Sequence, residues 1–274
     1  MTVQDTHGRD RGLSHQRLRR AAAVLSLVAL ASACSSPTGS GDDVDASPTS
    51  PSTAAPDGPT SGARTAYRVP ASCGRLALEQ GVTLPGATVA TCWGDALRAH
   101  GSVRAWTNGP PAMEAEVELE PGSRLRTEAS DGRVVVLVDG ASYGLLDGRW
   151  VRGVLNSEVE DEAIVAATGE FAAVTFSPQG LAQGVGECPA WRVAPDRSAL
   201  ALHDGTPASR LVRLDCTAAF DTLGATTTGA SLWVQEDWTP VRHAATLSVG
   251  GASAESVKDL ADHGATFDIP TPTP

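Results

Sequence analysis

Gly140-Ala141-Ser142-Tyr143-Gly144 spells the G-x-S-x-G frame that presents a nucleophilic serine in serine hydrolases. That chemistry requires the serine on a strained strand-to-helix turn, followed along the chain by an acid and then a histidine. Here Ser142 leaves one hairpin turn at Asp139-Gly140 and runs into another at Asp147-Gly148, so it reads as a turn-exit serine. His100, His203, His243 and His263 are scattered and lack metal-ligand spacing. His100 falls on the edge of a helical stripe, His203 beside a turn and His243 among alternating core positions, all structural places. The acids at 158–162 suit the first turn of a helix, and those at 114–120 suit the wet side of a sheet. Neither a P-loop nor a dinucleotide fingerprint occurs. The expectation is a protein that is not an enzyme, with no catalytic residue, no cofactor and no metal.

The cysteines carry a different chemistry. Cys73, Cys92, Cys188 and Cys216 form an even set without the close C-x-x-C spacing of a zinc site, as disulfides do in an exported domain. Three connectivities are open; Cys73–Cys92 with Cys188–Cys216 closes the shortest loops. Cys34 is apart from these. Five arginines precede a short apolar run, residues 21–33, that ends in small residues. This is the form of a secretory signal, and the run falls short of the ~20 residues needed to span a bilayer. Leu30-Ala31-Ser32-Ala33-Cys34 resembles the lipobox of bacterial lipoproteins, whose cysteine is lipidated and becomes the mature N-terminus. Acyl chains of the palmitate class on Cys34 would hold the protein on the membrane. Residues 35–66 are almost all Ser, Thr, Pro, Gly, Ala and Asp, too poor in apolar surface to fold. They read as a tether with a mean reach of roughly 30 Å.

The expected organisation is therefore a signal peptide over 1–33, a lipidated Cys34 with a disordered tether to residue 66, and a single domain over 67–274. The leader takes five of the 21 basic and two of the 32 acidic residues, leaving 16 against 30 and a net charge of −14. Such a surface excludes a phosphate backbone, hence nucleic acid, and excludes polybasic attraction to anionic lipid. Membrane contact would come from the anchor, on the extracytoplasmic face of the cell membrane.

The domain's centre is residues 102–151. Asp131-Gly132, Asp139-Gly140 and Asp147-Gly148 recur every eight residues, and Asp-Gly favours the tight turns of hairpins. Met113, Ala115, Val117, Leu119, Leu125 and Ala129 share one face of two alternating segments turned at Pro121-Gly122; glutamates on the other face can pair with Arg124 and Arg126. This predicts an antiparallel meander with one apolar and one wet side. Helices are predicted over 72–80, over 88–100 with Gly101 as cap, from the capping-box form Ser157–Glu160 to about Gly169, and from Ser177-Pro178 to about Gly184. Strands return over 190–202, interrupted at Pro195, and over 209–215, 231–235 and 241–249. Sheet, two helices and sheet again make an α+β order.

Several strings then become recognisable together. Arg133 through Tyr143 and Asp147-Gly148-Arg149-Trp150-Val151 resemble the central hairpins of actinobacterial lipoproteins of the LppX/LprA/LprF/LprG type. Asp204-Gly205-Thr206-Pro207, Leu232-Trp233-Val234 with Pro240-Val241-Arg242, and the ending 264–270 resemble later strings of that family, in its order. The resemblance implies a LolA/LolB-like fold, a half-barrel antiparallel sheet wrapped around helices, with an apolar cavity between. It implies a non-catalytic carrier of a lipid or other apolar ligand in the cell envelope, with an envelope transporter as a partner. Met113, Ala115, Val117, Leu119, Leu125, Val134, Val136, Ile164, Leu181 and Leu247 are the expected cavity lining. The alternative is an envelope interaction lipoprotein whose core is filled and which takes no ligand.

Overall fold

The computed structural model describes residues 67–109, 111–119, 124–222 and 224–274. The signal peptide, Cys34, the tether and the Pro121-Gly122 turn lie outside the described residues. Thirteen strands form one antiparallel sheet among the described residues. In chain order these are β1 (Thr83–Pro85), β2 (Ser102–Thr107), β3 (Met113–Glu118), β4 (Arg124–Ala129), β5 (Val134–Val138), β6 (Ala141–Leu146) and β7 (Arg149–Arg152). They continue as β8 (Ala190–Ala201), β9 (Pro207–Cys216), β10 (Phe220–Thr222), β11 (Ala225–Val234), β12 (Pro240–Val249) and β13 (Ala252–Ala261). The spatial order β1-β8-β9-β11-β12-β13-β2-β3-β4-β5-β6-β7 leaves β1 and β7 at opposite edges, so the sheet does not close into a barrel; β10 pairs with β11. Helices α1 (Gly86–His100), α2 (Glu160–Phe176) and α3 (Pro178–Ala182) complete the α+β fold.

The Asp-Gly turns form as the sequence predicts. Both residues of Asp139-Gly140 and of Asp147-Gly148 have positive φ, and Val138↔Ala141 and Leu146↔Arg149 close two-residue hairpins around them. The register also sets Glu116 opposite Arg126 and Glu118 opposite Arg124. Both disulfides form in the shortest-loop pairing, Cys73–Cys92 and Cys188–Cys216.

Three local expectations are corrected. Residues 72–80 are a turn followed by irregular chain. Cys73 is tied to α1, Leu76 and Leu78 pack on the core, and Gly81 and Val82 exchange backbone hydrogen bonds with Val193. Local turn bonds to Pro70 O and Cys73 O and the disulfide to α1 hold the segment instead of a helix. Helix α2 starts at Glu160 and runs through Gly169, because Ser157 Oγ bonds Glu162 (2.6 Å) and Val159 N (3.1 Å) ahead of the helix. The single wet side holds for β3 and β4 but not for β5 and β6. There Val136, Val138 and Tyr143 are buried on the outer face under Phe267 and Ile269 of the C-terminal segment. The unbroken run Val134-Val135-Val136-Leu137-Val138 is what burial on both faces demands.

Candidate functional site

The inner face of the sheet is packed. Trp93 and Leu97 of α1, Phe176 of α2, Leu181 of α3 and Trp191 of β8 join Val103, Ala115, Val117, Leu125, Leu214 and Leu232 in one core cluster. Leu119 belongs to it, and Met113 and Leu247 pack at its margin. The register separates Val134 and Val136 from this set. They stand across from Glu128 and Arg126, on the outer face, whereas Val135 and Leu137 stand across from Thr127 and Leu125 on the inner one.

An open apolar groove lies on the helix layer instead. It has a volume of about 810 Å³ and runs between α1 and the α2–α3 junction, lined by Ala90, Gly94, Ala173, Val174, Pro178 and Ala182. Small residues create it. A Cβ on Gly94 would sit 3.8 Å from Pro178 O and 3.9 Å from Ala182 Cβ, so α1 and α3 meet almost backbone to backbone. Ser177 caps α3 by accepting the Gly180 N–H at 2.9 Å. The following loop, residues 183–188, is pinned by buried Val185, by the Trp191 indole N–H donating to Val185 O (2.9 Å), and by Cys188–Cys216. The charges at the rim are few: Asp95 and Arg98 bridge each other at 2.8 Å, and Glu187 stands beside them. None of the ten residues expected to line a cavity borders this groove. Leu181 is buried between the lining residues Gly180 and Ala182.

Helix α2 extends the apolar surface. It is apolar on both sides: Val165, Ala166, Ala172 and Phe176 are buried, yet Ile164 (48 % exposed), Phe171 (48 %) and Val174 (63 %) face water. Val154, Leu155 and Val159, just before it, are also exposed. A helix apolar all round is normally covered on all sides, and contiguous exposed patches of this kind mark interaction sites. Val174 belongs to both the stripe and the groove, so the two surfaces are continuous. The spacing of Ile164, Phe171 and Val174 was visible in the sequence; their exposure was not.

The polar sites are self-contained. Ser142 lies under α2, where a Cβ on Gly169 would come within 2.4 Å of Ser142 Cβ, and no hydrogen bond joins it to a histidine or an acid among the described residues. A second pocket of about 340 Å³ on the outer face has Arg104, Trp106, Glu114, Glu116 and Met113 in its wall. Its charge is internally matched: Arg104 binds Glu114 (2.6 Å), Glu116 (3.3 Å) and Asp262 (2.9 Å). Tyr67, the first described residue, stacks on His100 (ring centroids 3.8 Å) and donates to Asp237 O at 2.9 Å. Burial and the Asp237 charge push its phenol up to about 12. No group of acids, histidines and cysteines among the described residues could hold a metal ion. No described helix is long and apolar enough to cross a membrane.

Buried His243 and half-buried His263 fix a pH dependence. Burial, then the neighbouring His100, pulls His263 down to about 4; burial, then Lys258, pulls His243 down to about 3. The unfolded chain binds protons on both near pH 6.5, where the folded chain does not. Their contribution to stability is therefore complete above pH 6.5 and is lost as pH falls toward 4, by up to ~2.7 kcal/mol per pH unit. Urea unfolding at pH 7 and pH 5 should show a clearly lower midpoint at pH 5, and His263→Asn should flatten that difference. An identical midpoint at both pH values would refute the assignment.

No protein-family model and no curated protein sequence matches the chain. Among solved structures it is similar to the crystal structure of LprF from Mycobacterium bovis, at 16 % identity over 69 % of this chain and 97 % of that one, with a TM-score of 0.45. It is also similar to the Mycobacterium tuberculosis lipoprotein LppX, at 12 % identity over 68 % of this chain and 94 % of that one, with a TM-score of 0.37. Both belong to the group whose strings the sequence resembles.

Proposed function

We propose that this protein is an exported, membrane-anchored lipoprotein that binds a lipid or other apolar ligand without transforming it. The observation that carries the reading is the groove between α1 and the α2–α3 junction, which continues into the exposed stripe of Ile164, Phe171 and Val174. A groove of several hundred Å³ with a mostly apolar wall and a few polar groups at its rim suits a small amphiphile. On this reading the ligand lies on the outside of the helix layer, with Ile164 on its approach and Leu181 beneath its floor. Cys34 supplies the anchor, and the acyl chains keep the domain at the extracytoplasmic face of the cell membrane.

The test is native mass spectrometry with organic extraction on the full chain purified from an actinobacterial host. A reproducible co-purifying lipid is expected, lost when Ala173→Trp fills the groove. The packed inner face favours a second reading, an envelope interaction lipoprotein with a filled core. A clean apo mass with no uptake of added lipid would establish that one instead.

A further inference from the structure

His243 and Lys258 stand side by side on the otherwise mostly apolar inner face. Across the strands, Leu214, Leu232, His243, Lys258, Thr107 and Met113 stand in one register row. Lys258 is the only lysine of the chain. It is partly exposed and makes no hydrogen bond or ion pair with another described residue. His243 beside it is 9 % exposed, and its Nε2 has no partner. Thr107 Oγ1 accepts from Gly109 N at 3.2 Å and keeps its own proton to donate. The nearest acid in sequence, Asp259, points to the other face and is held there by Arg242. An ammonium on this apolar face with no counter-charge among the described residues would gain one from an anion bound at that point.

His243 also approaches the groove. Gly184 lines the groove, and a Cβ on it would stand 3.4 Å from His243 Cε1, so only a glycine backbone separates the two. We propose that Lys258, with His243 Nε2–H and the Thr107 hydroxyl, is a headgroup site for a long-chain carboxylate whose acyl chain occupies the groove. One cation and two neutral donors match the single charge and two oxygens of a carboxylate. A phosphate dianion would bring a second charge without a partner. The proposal rests on the apolar-ligand reading and names the ligand class for it.

The experiment measures binding of hexadecanoate, hexadecyl phosphate and hexadecanol to the full-length protein, wild type, Lys258→Met and Lys258→Arg. The expected result is a preference of ~10- to 100-fold for hexadecanoate over hexadecanol, the range of a charge-assisted hydrogen bond. That preference should vanish in Lys258→Met, with hexadecanol affinity unchanged, and persist in Lys258→Arg. Equal binding of acid and alcohol by the wild type would overturn the headgroup site and leave the apolar-ligand reading standing. Binding of neither would overturn both. Preference for the phosphate, or a preference that survives Lys258→Met, would also overturn it. Should Lys258→Met not fold, ¹³C-methylation of the wild type gives a second readout. The dimethyl-Lys258 signal must then move with hexadecanoate and stay with hexadecanol, and a signal indifferent to both overturns the site.

Discussion

Replacing Asp259 by Ala is expected to destabilise the domain by ~3–5 kcal/mol, the usual cost of leaving a buried charge without its partner. Asp259 has 1 % of its side chain exposed and faces the Arg242 guanidinium with both oxygens, Oδ1 on Nε and Oδ2 on Nη2. Oδ2 also accepts the His203 N–H at 2.7 Å, and Arg242 Nη2 reaches Ala201 O at 2.9 Å. One carboxylate thereby ties the β8–β9 turn to the outer face of β12 and β13, where His203 stacks on Trp106 at 4.8 Å. Asp259→Asn, which keeps one acceptor, should cost less than Asp259→Ala. Urea unfolding of the three proteins measures this, and a loss below ~1 kcal/mol for Asp259→Ala would show that water reaches and solvates Arg242.

The second large effect reverses an ordinary rule. Gly169 lies in the middle of α2, where helix propensity alone awards Ala ~1 kcal/mol over Gly. Gly169→Ala is nonetheless expected to destabilise by ~1–3 kcal/mol, the cost of overpacking. The new Cβ would fall 2.4 Å from Ser142 Cβ and 3.0 Å from its Oγ. Gly144 and Gly153 make the same close approach, to the Val165 side chain and to the Ala166 backbone, so α2 lies on the sheet through a patch of glycines. Removing the obstacle should rescue the variant: Gly169→Ala with Ser142→Gly is predicted to be more stable than Gly169→Ala alone. Additive losses in that double-mutant cycle would place the strain elsewhere. The same geometry explains the G-x-S-x-G string as a packing surface for a helix.

How much of this was legible beforehand depends on the range of the interaction. The Asp-Gly turns, the α1 stripe closed by Gly101 and the alternation of β3 and β4 follow from residues within a few positions of each other, and all three stand as read. The disulfide pairing follows from loop length. The failures are equally specific. Residues 72–80, stopped by Gly81, read as a short helix, yet Cys73 is bonded to Cys92, distant in the chain, and the segment forms a turn and irregular chain. Gly169 looks like a helix end because a sequence does not show what a missing side chain makes room for.

The candidate site divides along the same line. The sequence by itself determined which residues are apolar, that β3 and β4 have one buried face, and that four cysteines lie in two bridgeable pairs. Periodicity says that a face will be covered but not by what. Only the tertiary structure decided that Trp93, Trp191 and Phe176 fill the inner face, that Val136 turns outward beneath Phe267 and Ile269, and that the open apolar groove lies on the helices. It also decided that Lys258, one charged residue in a strand of mixed character, has no counter-charge among the described residues. Strand register sets which face a residue takes, and the partners across that register come from segments more than a hundred residues away, as β13 and β2 do.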